Sequence, residues 1–266
     1  MNKINLNPLE LYKRGIIVDK FIPTSEVLSF INFIKKSFKP VKLIRIGSQN
    51  DGGYLFPDIF SDISYCFSPG VSKISSFEDH LSKTYNIKSF LADANIEAPT
   101  ISNKNFYFTK KFISSIQKEN FITLSNWINQ SIHNDYNNLF LQMDVEGHEY
   151  DILIKEDLSV LNRFIGMIIE FHWLQKIFDR FSFKMISSIF SKILENFYIV
   201  HIHPNNCCGI IEYDSVQIPL VSEFSFLRKD YLKKVVHLNS ITLPHKLDRP
   251  NIKEKHDLIL PDIWWK

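Results

Sequence analysis

The sequence predicts an α/β protein organised on a largely parallel sheet, on three observations. Short apolar runs recur along the chain: "ISYCF" (63–67), "KSFLA" (88–92), "LFLQM" (139–143), "IGMIIEF" (165–171) and "YIVHI" (198–202). They alternate with amphipathic stretches of roughly ten or more residues, the chain order of crossovers between parallel strands. Several runs also end in polar residues, and open parallel sheets take their ligands beyond the carboxyl ends of their strands.

In chain order, the first element is a helix over Thr24–Phe38. Val27, Leu28, Ile31, Ile34 and Phe38 fall at helical spacing after a Thr-Ser start signal. It makes residues 1–40 an N-terminal helical cover. "KPVKLIRIGSQNDGGYLF" reads as strand, turn and strand. "SSFEDHLSKTYN" opens with Ser75 and Glu78 at capping-box spacing, so a helix follows the Ser68-Pro69-Gly70 turn. "SFKMISSIFSKILENF" carries a broad apolar face suited to lying on a sheet. "LVSEFSFL" (220–227) is expected to return antiparallel at the sheet edge. Residues 41–243 then form one sheet domain. The segment 244–266 is a loop-like tail whose two terminal tryptophans dock on the body or on a partner.

A length of 266 residues suits a single core. The +2 charge comes from 31 basic and 29 acidic residues spread along the chain, which speaks against a nucleic-acid partner. The abundance of Phe, Lys, Ile and Asn reads as the bias of an AT-rich coding sequence. Cys66, Cys207 and Cys208 offer no even disulfide framework, and the adjacent pair has poor geometry for a mutual bridge. The start, "MNKINLNPLELYKRG", lacks a signal peptide's apolar stretch, and no segment reaches the roughly 18 apolar residues of a membrane span. A soluble, cytoplasmic protein is expected.

The strand ends carry the candidate chemistry. At Ser68–Ser72, Gly70 lets a backbone approach a ligand and the following helix offers unpaired N–H groups, or the segment is a plain turn. "LADAN" places Asp93 where a carboxylate accepts hydrogen bonds from ribose hydroxyls, or where it is solvated in a loop. "LFLQMDVEGHEYDIL" delivers Asp144, Glu146 and His148 within a few residues of a strand end, costly to bury unless paired or chelated. "MIIEFHWL" adds Glu170 and His172 from the next strand. With Asp144 they form a set that could bind Mg or Mn, supply a proton acceptor, or simply hydrogen-bond. "YIVHIHPNNCCG" sends His201 and His203 to one face and brings Asn205 and Asn206, amides suited to a sugar. Glu223 interrupts an apolar strand.

With those motifs in view, the chain from about 43 to 250 resembles the FkbM family of S-adenosylmethionine-dependent O-methyltransferases, especially members that methylate sugars of bacterial surface polysaccharides. The carriers are "RIGSQNDGGYLF", "FSPGVSKISSFE", "LADA", "FITLSNWI", "LQMDVEGHEYDIL", "IIEFHWL", "HIHPNN" and "PHKLDRPN". The resemblance implies a Rossmann-like sheet of seven strands, mostly parallel with the last antiparallel, and helices on both faces. It also implies S-adenosylmethionine over the first two strand ends, with Ser68 and Gly70 near its methionine part and Asp93 on its ribose. Asp51, Gly52, Gly53 and Tyr54 would close over cofactor or substrate, and Asp144 would join the cofactor contacts.

Methyl transfer to a sugar hydroxyl needs a base or a metal, because the hydroxyl's pKa lies far above neutral. His172 or His203 is the expected proton acceptor. Asp144 and Glu170 bind a metal with His172 or orient the base; Glu146, His148, Glu170, Asn205 and Asn206 contact the acceptor, a nucleotide-linked sugar. Two other readings fit: a metal-dependent nucleotide-sugar glycosyltransferase using "DVE", and a non-catalytic nucleotide- or sugar-binding domain. The sequence leaves a homo-oligomer open.

Overall fold

The computed structural model describes residues 7–133 and 137–266. Of the expected N-terminal cover, residues 1–6 lie outside the described residues. The first half of the chain forms α1 (Pro8–Lys13), α2 (Thr24–Lys36), β1 (Ile44–Gly47), β2 (Gly53–Phe56), β3 (Tyr65–Pro69), α3 (Ser76–Tyr85), β4 (Lys88–Ala92) and β5 (Phe106–Thr109). A short pair, β6 (Phe112–Ile113) and β7 (Phe121–Ile122), leads to α4 (Leu124–Ser131), β8 (Leu139–Met143), α5 (Glu149–Lys155) and α6 (Leu158–Leu161). Then come β9 (Phe164–Phe171), α7 (Arg180–Asn196), β10 (Phe197–Pro204), β11 (Ile210–Tyr213), β12 (Val216–Pro219) and β13 (Ser222–Arg228).

Seven strands form one sheet in the order β10-β13-β9-β8-β3-β4-β5. The pairs β9/β8, β8/β3, β3/β4 and β4/β5 are parallel, whereas β13 runs antiparallel to both its neighbours. This is the α/β class that the alternating runs predict. The place of β13 differs from the expected edge: it is wedged between β9 and β10. Its alternating polar residues are not solvated. The Ser225 hydroxyl donates to Leu55 O at 2.8 Å, and Glu223 accepts from Asn251 Nδ2 at 2.8 Å, so β2 and the tail cover the face that alternation assigns to water. The true edge, β10, is capped at Ile199, whose backbone exchanges hydrogen bonds with Ser37 and Lys39.

α2 buries Val27, Phe30, Ile31 and Ile34. Leu28 is 42% exposed rather than buried, because it lies about 100° around the helix from Val27 and points off the face. Phe38 falls beyond the helix and bridges to Ile199. α3 starts after the glycine turn, but no capping box forms. Ser75 sits at φ −127°, ψ 35° instead of the extended conformation of a side-chain cap, and its buried hydroxyl has no partner. α7 is capped by Asp179, which accepts from Ser182 N at 2.7 Å, and buries Ile186, Ile189, Phe190, Ile193 and Leu194.

The tail returns to the body. Trp264 is 1% exposed, its indole N–H donates to Gln217 O at 3.1 Å, and its ring meets Phe224 edge-on at 6.4 Å. Cys207 and Cys208 lie with their sulfur atoms in contact and their Cα atoms 3.8 Å apart; Cys66 is free and buried. Among the described residues no helix is long and apolar enough to cross a membrane. Trp264→Ala should cost about 3–5 kcal/mol of stability, since a fully buried indole leaves an unfilled cavity. Urea denaturation would read this as a lower midpoint.

Candidate active site

The site begins with a close approach. β3 is followed by Gly70 at φ +80°, and a Cβ there would lie 1.5 Å from the carbonyl oxygen of Asp144. Only glycine lets the turn after β3 touch the end of β8. Gly70 N donates to Ala92 O at 2.9 Å and Asp144 N to Pro69 O at 3.2 Å, tying the ends of β4, β3 and β8 together. Beside this junction opens a cleft walled by Asp51, Gly52, Tyr54, Gly70, Glu78, Gln142 and Asp144, among others. The Gln142 amide donates to the buried Tyr54 hydroxyl at 3.0 Å.

Five of the expected cofactor residues, Asp51, Gly52, Tyr54, Gly70 and Asp144, therefore share one cleft. Three others lie outside its walls. Gly53 serves the β1–β2 turn, where a Cβ would strike Ser48 O at 2.1 Å. Ser68 is wholly buried next to the Cys66 thiol at 3.5 Å. Asp93 accepts from Ser72 N at 3.1 Å and Asn95 N at 2.7 Å, so its carboxylate braces the turn.

The cleft's acids are crowded. Burial pushes the Asp144 carboxyl up to about 7, against the pull of His172 and with the repulsion of Glu146, Glu149 and Asp51. Asp144 Oδ1 is buried without a hydrogen-bond partner. Glu170 is raised well above the usual range by burial, then by Asp144 and Glu223, although Asn205 donates to it at 2.7 Å. Asp51 is raised by burial and by Glu223. Among the described residues no Lys or Arg lines this cleft.

His172, just past β9, faces the same acids. Its Nδ1 lies 3.1 Å from Glu149 Oε1, and its Nε2 lies 3.3 Å from Glu146 Oε2 and 3.8 Å from Asp144 Oδ1. Burial alone would lower its pKa; Glu149 above all, then Asp144 and Glu146, outweigh that, and the net shift is upward. Glu149, the first residue of α5, is fully buried, and Oε1 also accepts from Val145 N and Gly147 N at 3.1 Å each. One carboxylate oxygen thus folds the loop after β8 and fixes the imidazole. In the sequence Glu149 passes for the start of helical periodicity; an acid heading the apolar face of "EYDIL" is the signal that finds it. Glu146 is mostly exposed at φ +55° and reaches the site only through His172. His148 faces Asp151 at 3.5 Å and is exposed, away from the cleft.

The remaining candidates form a second cluster that holds the tail. His201 Nε2 pairs with Asp248 at 2.9 Å. His203 lies between Glu223 at 3.4 Å and Asp257 at 3.1 Å. Burial opposes its charge, but Asp257 and Glu223 hold the ring protonated, with its pKa raised to about 10. Asn206 donates to the carbonyls of Ile252, Lys255 and His256 and accepts from Ile252 N. Asn205 supports Glu170.

The methyltransferase FkbM domain matches residues 46–199. The chain belongs to the FkbM methyltransferase family. As a member it is a methyltransferase with S-adenosylmethionine as donor. No curated protein matches it. Among solved structures, Streptococcus pneumoniae Sp1610 in complex with S-adenosyl-L-methionine aligns at 10% identity over 64% of this chain and 68% of that one, with a TM-score of 0.36. Methanococcus jannaschii fibrillarin, a pre-rRNA processing protein, aligns at 10% identity over 71% and 83%, with a TM-score of 0.37. At these scores neither likeness bears on substrate or mechanism.

The FkbM cleft fits a sulfonium donor: it has an orphaned Asp144 oxygen and acidic walls, while Gly70 serves the contact between the turn after β3 and the end of β8. It fits Mg or Mn poorly. The ligand atoms that lie within 4.8 Å of one another belong to Asp144, Glu149 and His172, not to the expected set with Glu170. Glu149 Oε1 is committed to three donors, which leaves Glu149 Oε2 and Asp144 Oδ1 without partners, and the set offers few of the oxygens those ions favour. Glu149→Gln should lower the titration midpoint of His172, followed by NMR of its imidazole protons, because it removes the charge that contributes most to the upward shift.

Proposed function

We propose that this FkbM protein transfers a methyl group from S-adenosylmethionine to a hydroxyl of a saccharide, with His172 as the proton acceptor. The acceptor we propose is a nucleotide-linked sugar destined for capsule or another surface polysaccharide, modified in the cytoplasm. The observation that carries this reading is the His172 ring, clamped by buried Glu149 at Nδ1 with its Nε2 3.8 Å from Asp144, a residue of the cleft wall. The donor supplies an electrophilic methyl on positively charged sulfur. The chain's task is to place a hydroxyl in line with it and accept its proton.

The division of labour follows from the contacts. Glu149 sets the tautomer and orientation of His172 as a positioning residue. Asp144 aligns the hydroxyl and, when ionised, faces the sulfonium. Asp51 and Gln142 on the cleft wall offer a carboxylate and an amide for neighbouring hydroxyls, which suits a polyhydroxylated acceptor better than an apolar one. Both histidines have acids at both ring nitrogens, but the acids on His203, Glu223 and Asp257, are held in the body, whereas Glu146 at His172 Nε2 is mostly exposed and can give way to a hydroxyl, so His172 is the one suited to accept a proton.

The decisive experiment incubates the protein with S-adenosylmethionine and GDP-, CDP- or UDP-linked sugars and reads a mass gain of one methylene equivalent. His172→Ala should lower kcat by about 10²–10⁴ with S-adenosylhomocysteine affinity unchanged. Full turnover in that variant would remove His172 as the base. A chelator should leave the rate intact, since the set of Asp144, Glu149 and His172 offers few oxygens for Mg or Mn; lost activity would restore the metal reading. Affinity for S-adenosylmethionine should fall as pH drops through about 7, where Asp144 takes up a proton. The neutral thioether product should show a much weaker dependence, and equal pH profiles by calorimetry would disprove the electrostatic role of Asp144.

A further inference from the structure

Glu78 is the acid that the sequence assigns to a capping box and that the structure turns elsewhere. It is 2% exposed, lies in the first turn of α3 and forms part of the cleft wall with Phe77 and Ile74. It does not cap the helix. The Ser68 hydroxyl and the backbone N–H of Glu78 itself donate to it, which leaves the N–H groups of Ser76 and Phe77 as the open ones of that turn, and burial still pushes its carboxyl up to about 7. Among the described residues no cation shares its wall, so a buried carboxylate there lacks the partner that buried charges require.

Its compartment is defined from two sides. Asp144 marks the reacting end of the cleft, at the tip of β8. Asp93, the candidate ribose acid, lies at the tip of β4 and outside these walls. Of a donor spanning both, the amino-acid part is what remains to fill the space between Gly70, Ser72 and Glu78. That part is a zwitterion. Its carboxylate finds the unpaired N–H groups where α3 begins, close to the unpartnered Ser75 hydroxyl. Its ammonium needs an acid, and Glu78 is the acid on that wall.

We propose that Glu78 receives the α-ammonium group of the cofactor's methionine part, an inference that rests on the S-adenosylmethionine reading of the same cleft. Glu78 is then a cofactor-binding residue that discriminates the intact amino acid from analogues without it. The Ser68 hydroxyl orients its carboxylate, which gives that buried serine a role it does not have as a direct ligand.

The test is calorimetric and needs no turnover. Wild type and Glu78→Gln, which retains the shape and most hydrogen bonds, are titrated with three ligands. These are S-adenosylhomocysteine, its analogue with hydrogen in place of the α-ammonium, and 5′-methylthioadenosine, which lacks the amino acid altogether. Wild type should bind S-adenosylhomocysteine about tenfold or more tighter than the des-amino analogue, and the variant should lose most of that preference. Methylthioadenosine should bind both proteins alike. The proposal falls if wild type does not distinguish the first two ligands, a result independent of how the variant folds. It falls equally if Glu78→Gln binds S-adenosylhomocysteine as wild type does, or loses methylthioadenosine by the same factor, which marks a structural role. If wild type binds none of the three, the donor reading fails first and takes the proposal with it.

Discussion

The site depends on one steric constraint: the carbonyl oxygen of Asp144 occupies the space where any side chain at position 70 would begin. Because Gly70 has none, the turn after β3 and the loop after β8 meet, and hydrogen bonds from Gly70 N and Asp144 N lock β4, β3 and β8 in register at their ends. Everything functional is measured from this junction. The cleft opens on one side of it, and Glu149 continues it on the other, gathering Val145 N, Gly147 N and the His172 ring on a single oxygen. The proposed donor pocket and proton acceptor, carried by strands far apart in sequence, are thereby held in one frame.

How much of this the sequence reveals depends on what a local pattern can encode. An apolar run ending in polar residues is local, so the strands and most of the residues at their tips are legible, Gly70, Asp144 and His172 included. Burial by a distant segment is not local. Glu223 and Ser225 alternate with Phe224 and Phe226 as on a half-solvated edge strand, yet β2 and the tail satisfy both polar residues and draw β13 into the interior. His203 and Asn206 look like ligands for a sugar because they are polar at a strand end. Their partners prove to be the tail's Asp257 and the backbone around Ile252, some fifty residues on. A polar strand tip announces that something polar will meet it, without saying whether that is substrate or protein.

Glu78 and Glu149 show the same limit on a shorter scale. Both stand in the first turn of a helix, where an acid is usually explained by unpaired N–H groups and the helix dipole. Spacing alone supports that explanation for Glu78. The backbone of Ser75 decides otherwise, since its dihedral angles do not suit a side-chain cap, and the freed carboxylate points to the cleft wall. For Glu149 the loop wraps around the carboxylate instead of the carboxylate reaching back to a cap. Acids at helix starts are ambiguous until the conformation of the preceding residue is known.

The electrostatics of the cleft tie these features to the chemistry. Asp51 and Asp144 share a cleft that, among the described residues, no Lys or Arg lines, and burial, with repulsion from neighbouring acids, raises both and also Glu170. Such a site is badly matched to an anion and well matched to a cation. On the proposed reading the positive charge never leaves it. It enters on sulfur, and as the methyl departs the sulfur becomes a neutral thioether while the hydroxyl proton passes to His172 Nε2. That nitrogen is 3.8 Å from Asp144, which therefore adjoins both the origin and the destination of the charge. The acids are compensated before and after the transfer, and the neutral product no longer enjoys the attraction that held the donor. One arrangement of carboxylates thus favours capture of the donor, steadies the charge as it moves, and loosens the product.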